Sequence, residues 1–317
     1  MTYIPSYRIV NFSLRPAKSV ERKMLAEAFR LLSRFGSINA YRYIGLGSNF
    51  FSDFILFHKS LGITNMTSIE QDRPFAKRFA FNRPFLCVDI KIGESGEILP
   101  TLNWSMRTIL WLDYDLPLDP EMLADVRLFC TNAPSGSMII VTVDARAETH
   151  SDEASKSRLP VLKSRLGKNL PRNVTEKDLA GWGIARVYRT IINNEIEDSM
   201  ARRNGFLPRG TKILYRQLFN FHYQDSARML SVGGLIYDDG QTPVMESCGF
   251  RSLEFYREGD APYEIQIPNL TLREIRHIDS QLPNSNVPGI ATWIPKEELE
   301  KYARIYRYFP AFVEAEL

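Results

Sequence analysis

Tyr43-Ile44-Gly45-Leu46-Gly47-Ser48-Asn49 is the stretch that decides the fold. A short aromatic and β-branched run, Ala40 to Ile44, breaks at two glycines one residue apart, as a strand entering a tight turn does. Upstream, Val20, Met24, Ala28, Leu31, Leu32 and Phe35 recur at three- and four-residue spacing. That spacing predicts an amphipathic helix over 20–35, with Ser19 to cap it and Gly36 to stop it. Downstream, the pattern predicts helix 51–61 ending at Gly62, strand 66–70, helix 74–81, strands 86–90 and 108–113, helix 120–130 and strand 137–144. The strands are short apolar runs with little polar alternation. Their alternation with helices predicts an α/β protein whose parallel sheet is covered on both faces.

Beyond this core, residues 147–173 are polar and basic and read as a loop or insertion before a helical segment at 176–203. Two runs rich in Tyr, Phe, Leu and Ile, 211–224 and 227–237, flank Asp225-Ser226 and predict an antiparallel hairpin. The tail predicts strands near 252–256 and 263–267 and helices near 272–281 and 296–308.

Composition narrows the classes. A chain of 317 residues, 44% hydrophobic and 24% charged, is long enough to bury a large core without staples. A formal charge of +3 is too small to imply polyanion binding by itself. Cys87, Cys130 and Cys248 share no close spacing with one another or with histidine, which argues against a zinc knuckle, a redox pair or a disulfide framework. The same holds for His58, His150, His222 and His277, which fall on separate elements and read as structural. Nowhere do eighteen apolar residues follow one another, so no membrane partner and a cytoplasmic location are expected.

Over roughly 20–237 this order resembles the class I S-adenosylmethionine-dependent methyltransferase fold, a Rossmann-like, mostly parallel sheet with an antiparallel edge hairpin. The resemblance implies S-adenosylmethionine as cofactor and assigns roles at the strand ends. Gly45, Gly47 and Ser48 look like the bare-backbone turn that approaches the methionine and ribose, and Glu70, with Gln71 beside it, would accept from the ribose hydroxyls. Asp89 would accept from the adenine amino group while Ile90 packs on the ring. Asp113, in Leu110-Trp111-Leu112-Asp113-Tyr114-Asp115, would stand near the transferred methyl as the candidate base, with Tyr114 beside it in the pocket. The Asn-Pro-Pro-Tyr type of motif of many amino-group methyltransferases is absent, which favours an oxygen acceptor. Two positions depart from the family pattern: Tyr43 stands where an acid is usual, and Asn49 where a third glycine is common. In these terms 1–244 is expected to form a methyltransferase-like domain with an insertion at about 147–205, and 245–317 a C-terminal α+β extension.

Other residues invite sharper readings. Arg15, Lys18 and Arg22 gather at the start of the first helix and suit an anionic acceptor or the cofactor carboxylate, against the plainer reading of a solvated helix start. Asp113 with Asp144 would suit magnesium, but Ala145 follows where a further ligand would be wanted, so a metal-free site is expected. The basic positions Lys156, Arg158, Lys163, Arg165, Lys168 and Arg172 suggest RNA, yet lack the interleaved aromatics that stack on single strands. Tyr302, Ile305, Tyr306, Tyr308 and Phe309 form an aromatic stripe that is a packing face or a homo-oligomer contact. Two alternatives to a small-molecule O-methyltransferase stay open at this point: a non-catalytic Rossmann-like protein that binds a nucleotide or a partner, motivated by Tyr43 and Asn49, and an RNA-modifying methyltransferase.

Overall fold

A computed structural model of the chain describes residues 15–146, 157–205, 207–208, 211–284 and 286–311. The strands are β1 (Arg42–Leu46), β2 (Asn65–Glu70), β3 (Val88–Ile92), β4 (Thr108–Asp113), β5 (Ser137–Asp144), β6 (Ile213–Gln224), β7 (Arg228–Asp238) and β8 (Tyr263–Ile265). They form one sheet in the order β3-β2-β1-β4-β5-β7-β6-β8. β1 to β5 pair in parallel, β7 runs antiparallel to both β5 and β6, and β8 joins parallel to β6. The chain winds outward from β1 to β3 and then crosses back to β4 on the other side of β1. That reversal opens a crevice at the carboxyl ends of the strands, where open α/β sheets bind ligands.

The helices are α1 (Pro16–Leu31), α2 (Ser52–Leu61), α3 (Ala76–Asn82), α4 (Ser95–Ile98), α5 (Pro120–Asn132), α6 (Leu159–Leu166), α7 (Gly183–Asn204), α8 (Thr242–Ser247), α9 (Leu272–Asp279) and α10 (Lys296–Ile305). Successive strand side chains point to opposite faces, so each central strand feeds two cores. Tyr43, Ile109, Trp111, Met138 and Ile140 pack with α1 and α2 residues such as Met24, Phe29, Phe54 and Phe57. Ile44, Leu110, Leu112, Ile139 and Val141 pack with Phe129 of α5, Leu162 of α6 and Tyr188 of α7. Removing one such side chain to alanine costs about 2–5 kcal/mol.

Several elements differ from their sequence reading. α1 starts at Pro16 rather than near position 20, and its cap comes from elsewhere in the chain. The backbone amides of Ala17 and Lys18 donate to the carboxylate of Asp225, at 3.1 and 3.2 Å, in the turn between β6 and β7. Ser19 therefore lies inside the helix. β3 runs over Val88–Ile92, two residues later than expected. The expected helix at 176–203 is two pieces, a 3-10 turn at Glu176–Leu179 and then α7, separated by Gly181 at φ +58°. The expected strand at 252–256 is replaced by a 3-10 turn at Phe250–Ser252 and irregular chain that buries Phe255.

The tail packs on the first core rather than standing apart. Tyr263, Ile265, Ile305 and Tyr308 belong to it, and Lys23 Nζ of α1 donates to the Phe309 carbonyl at 3.1 Å. Tyr302 is buried in a small satellite core with Ile278 and Leu299, and donates to Asp279 at 2.7 Å. Residues 147–156, which include His150 and Lys156, lie outside the described residues. Among the described residues no helix is long and apolar enough to cross a membrane.

Candidate active site

The crevice holds a cavity of about 480 Å³, walled by the carboxyl ends of β1, β2 and β4, the exit from β3, and the first turns of α5. At its β1–β2 corner Gly47 donates its amide to the Ile69 carbonyl at 2.9 Å. A Cβ at Gly47 would lie 1.8 Å from Glu70 Oε1 and 2.1 Å from Ser68 Oγ, so only glycine lets this backbone lie against that carboxylate. Glu70 is 3% exposed and accepts from Ser68 Oγ at 2.9 Å. Burial pushes its pKa up to about 8, with the Ser68 bond pulling down and the Asp53 charge adding to the rise.

Gly45 and Ser48, expected as cofactor contacts, are not among the residues that line the cavity. A Cβ at Gly45 would meet the Tyr43 hydroxyl at 2.7 Å and Asp53 Oδ2 at 3.1 Å, so this glycine makes room for a side-chain pair instead. The Tyr43 hydroxyl donates to Asp53, in the first turn of α2. The tyrosine at the family's acid position thus carries a carboxylate partner with it. Burial raises the Asp53 pKa, and the Arg22 charge opposes the rise. Ser48 Oγ accepts from the Phe50 amide at 3.3 Å and shapes the turn.

Asp89 and Ile90 also fall outside the cavity. Asp89 is the second residue of β3, paired with Thr67, with a largely exposed side chain that meets Lys91 at 3.0 Å. Val88, Ile90 and Ile92 alternate with Asp89 and Lys91, so the polar residues face solvent from an edge strand and do not mark its end. The strand stops at Gly93, whose amide donates to the Glu70 carbonyl at 3.0 Å, and Glu94 and Ser95 then enter the cavity wall. Glu94 is thus the first acid after the end of β3, and it lines the cavity.

At the β4 end Asp113, Tyr114 and Asp115 line the cavity, as does Gln71 across from them. Tyr114 donates its hydroxyl to Asp125 Oδ2 at 2.7 Å, and Ser95 Oγ donates to the same oxygen at 2.5 Å. Burial, with the Asp125 charge behind it, lifts the Tyr114 pKa well above the usual range. Tyr114 thus stands in the cavity wall with its hydroxyl proton donated to Asp125. The sequence reading did not single out Ser95 of α4 or Asp125 of α5, because no local motif ties either helix to the cleft.

Asp113 has a cation beneath it. Lys18 Nζ lies 2.7 Å from Asp113 Oδ1, 2.8 Å from Glu21 Oε2 and 3.1 Å from the Tyr223 hydroxyl, 4.3 Å above the Trp111 ring. Lys18 is 1% exposed, whereas the Asp113 side chain is 28% exposed toward the cavity. Arg15 faces Asp225 at 3.5 Å. Lys18 and Arg15 thus pair with the protein's own carboxylates, while the buried Arg22 Nε has no hydrogen-bond partner among the described residues. Asp144 pairs with Arg146 at 2.5 Å and does not line the cavity. Among the described residues no group of three His, Cys, Asp or Glu side chains could hold a metal ion.

Among the described residues the cavity lining includes nine carboxyl groups, Glu70, Asp72, Glu94, Glu97, Asp113, Asp115, Asp119, Glu121 and Asp125, and no lysine or arginine. Such a lining suits a cation with hydroxyls and an amine to donate. Sheet order, glycine turn and strand-end acids together are those of the class I S-adenosylmethionine-dependent methyltransferases.

The chain belongs to the family described as "Putative O-methyltransferase", whose model matches residues 10–317. Among solved structures, it is similar to human N-acetylserotonin methyltransferase in complex with S-adenosylmethionine, at 11% identity and a TM-score of 0.35, over 68% of this chain and 51% of that one. It thus spans about half the length of that protein. It is also similar to Trm1 from Pyrococcus horikoshii with S-adenosylmethionine, at 10% identity and a TM-score of 0.43, over 75% of this chain and 61% of that one. TomG from Streptomyces achromogenes, an O-methyltransferase of tomaymycin synthesis, matches at 14% identity and a TM-score of 0.37, over 73% of this chain and 93% of that one. A comparison with curated proteins finds no match.

Proposed function

We propose that the protein transfers the methyl group of S-adenosylmethionine to an oxygen of a small-molecule acceptor, in the cytoplasm. The observation that carries this reading is the contact of Gly47 backbone with the buried Glu70 carboxyl, a cradle any Cβ would fill, at the head of an acidic cleft. S-adenosylmethionine supplies an electrophilic methyl on a sulfonium cation. The chain's residues would do the rest by holding and orienting. Glu70, once ionised, accepts from two ribose hydroxyls, with Gln71 beside it. Glu94 and Ser95, at the β3 exit, bound the adenine end in place of Asp89. Asp113, one oxygen held by Lys18, is the group positioned to take the proton of an acceptor hydroxyl. Residues 1–244 would form the methyltransferase unit, and 245–317 would buttress α1 and the β6 edge.

Calorimetric titration with S-adenosylhomocysteine tests the reading. Saturable binding that Glu70→Ala weakens at least tenfold is the expected result, and absence of binding to the wild type would sink it. Methyl transfer from labelled S-adenosylmethionine into an acceptor, abolished in Asp113→Asn, completes the test. Binding without any transfer would leave a nucleotide-binding protein instead.

A further inference from the structure

The carboxyl rim of the sheet carries a second cavity, of about 250 Å³, with a charge opposite to the first. Arg146, Arg158 and Arg228 line it together with Gly181, Gln224 and Ser226, and no carboxylate is among its lining residues that the structure describes. The fold brings the three guanidinium groups together from separate elements. Arg146 leaves the end of β5 and Arg228 opens β7, tied by the Ala145 amide donating to the Arg228 carbonyl at 2.7 Å. Arg158 precedes α6, donates Nη1 to the Leu179 carbonyl at 3.0 Å, and keeps a buried Nε with no partner among the described residues.

Their positions are fixed from below. Arg228 donates to the Gly181 carbonyl at 3.2 Å and lies on the face of Trp182, its charge 5.7 Å from the ring centre. Trp182 in turn stacks on His222 at 4.6 Å, and burial lowers the pKa of His222 to about 4, so that layer stays neutral and adds no counter-charge. Asp144 pairs with Arg146, and the Glu176 carboxylate accepts from the Arg158 backbone amide at 2.7 Å, whereas the Arg158 and Arg228 guanidinium groups donate to the Leu179 and Gly181 carbonyls. Convergence of like charges in a cavity costs free energy unless an anion joins them, and guanidinium forks match the geometry of phosphate and carboxylate.

The cavity also stands at a defined reach from the first. Asp113 pairs with Thr142 across β4–β5, and Asp144 with Met229 across β5–β7. Thr142 pairs in turn with Ser231, so Arg228 lies two strands, roughly 10 Å, to the side of Asp113 and three residues, roughly 10 Å, farther along, about 14 Å away in all. We infer that this cavity binds an oxyanion, a phosphate or carboxylate, carried by the acceptor about 14 Å from the oxygen that is methylated. The link to an acceptor rests on the proposed function above; the anion site itself does not.

The test uses the full chain with inorganic phosphate and, separately, acetate, against chloride at equal ionic strength, read by thermal melting and tryptophan fluorescence. Saturable stabilisation of the wild type is expected, weakened by roughly tenfold or more in Arg158→Gln and in Arg228→Gln, with S-adenosylhomocysteine binding unchanged in both. The stronger of the two ions names the acceptor's anionic group. If Arg228→Gln fails to fold, Arg228→Lys and Arg158→Gln carry the comparison. Equal responses of wild type and variants, or a wild-type response matched by chloride, would overturn the inference. So would RNA binding with a steep salt dependence and no saturation by either small ion. Saturable phosphate binding in a protein that ignores S-adenosylhomocysteine would retain the anion site and sink the cofactor reading.

Discussion

The Glu70 carboxyl should make cofactor binding depend on pH across the neutral range. Only 3% of this residue reaches solvent, and burial lifts its pKa from 4.5 to about 8, so the ligand-free protein holds a proton there at pH 7. A ribose diol that donates twice needs the ionised form. The apparent affinity then scales with the ionised fraction, about 1% at pH 6 and half at pH 8, which makes binding about 50-fold tighter at pH 8. That ratio is worth roughly 2.3 kcal/mol. Calorimetry with S-adenosylhomocysteine at pH 6, 7, 8 and 9, in two buffers of different ionisation enthalpy, reads both consequences. Affinity should climb to a plateau above pH 8, and close to one proton should be released per binding event at pH 6, falling toward none at pH 9. Glu70→Gln should bind weakly and without pH dependence. The sign for stability is opposite: the folded state keeps a proton that the unfolded state releases above pH 4.5, so the ligand-free protein should lose stability as pH rises from there to about 8. Wild-type affinity that stays constant from pH 6 to 8, with no proton released, would refute the role given to Glu70.

Gly47→Ala should displace Glu70 through a 1.8 Å clash and cost at least a hundredfold in S-adenosylhomocysteine affinity, roughly 2.7 kcal/mol, with the far-ultraviolet dichroism unchanged. Tyr114→Phe should leave kcat within about threefold, because the hydroxyl is spent on Asp125, whereas Asp113→Asn should lower kcat by about 10²–10⁴. A large kcat loss in Tyr114→Phe would restore Tyr114 as a catalytic group. Lys18→Met leaves Asp113 and the fully buried Glu21 without their cation and should cost about 3–5 kcal/mol in urea unfolding, a cost that a surface pair would not show.

What could be read from the sequence follows how locally each feature is encoded. β4 and β5 are legible to the residue because they lie in the sheet centre, where both faces are buried and the apolar run is the strand. β3 is an edge strand with one wet face, so its apolar run stops short of its hydrogen-bonded end, and the acid that lines the cavity there is Glu94 rather than Asp89. Glu70 and Gly47 were legible because a glycine turn and a strand-end acid are local signals. Asp125, Ser95 and the partnership of Tyr43 with Asp53 were not, since each depends on how two elements meet.

The acceptor side depends still more on contacts between distant parts of the chain. α1 has no local cap, and its first amides are satisfied by Asp225, 208 and 207 positions away. Lys18, in the first turn of that helix, is thereby held under Asp113 by the hairpin that also supplies Tyr223 to it. The β6–β7 turn continues through Ser226 to Arg228, in the wall of the arginine cavity. One short turn therefore bonds the group that positions the candidate base and contributes to the site that would grip the acceptor. A change of acceptor within such a scaffold is most economically made there, where residues 224–228 set charge and reach without touching the glycine turn or Glu70.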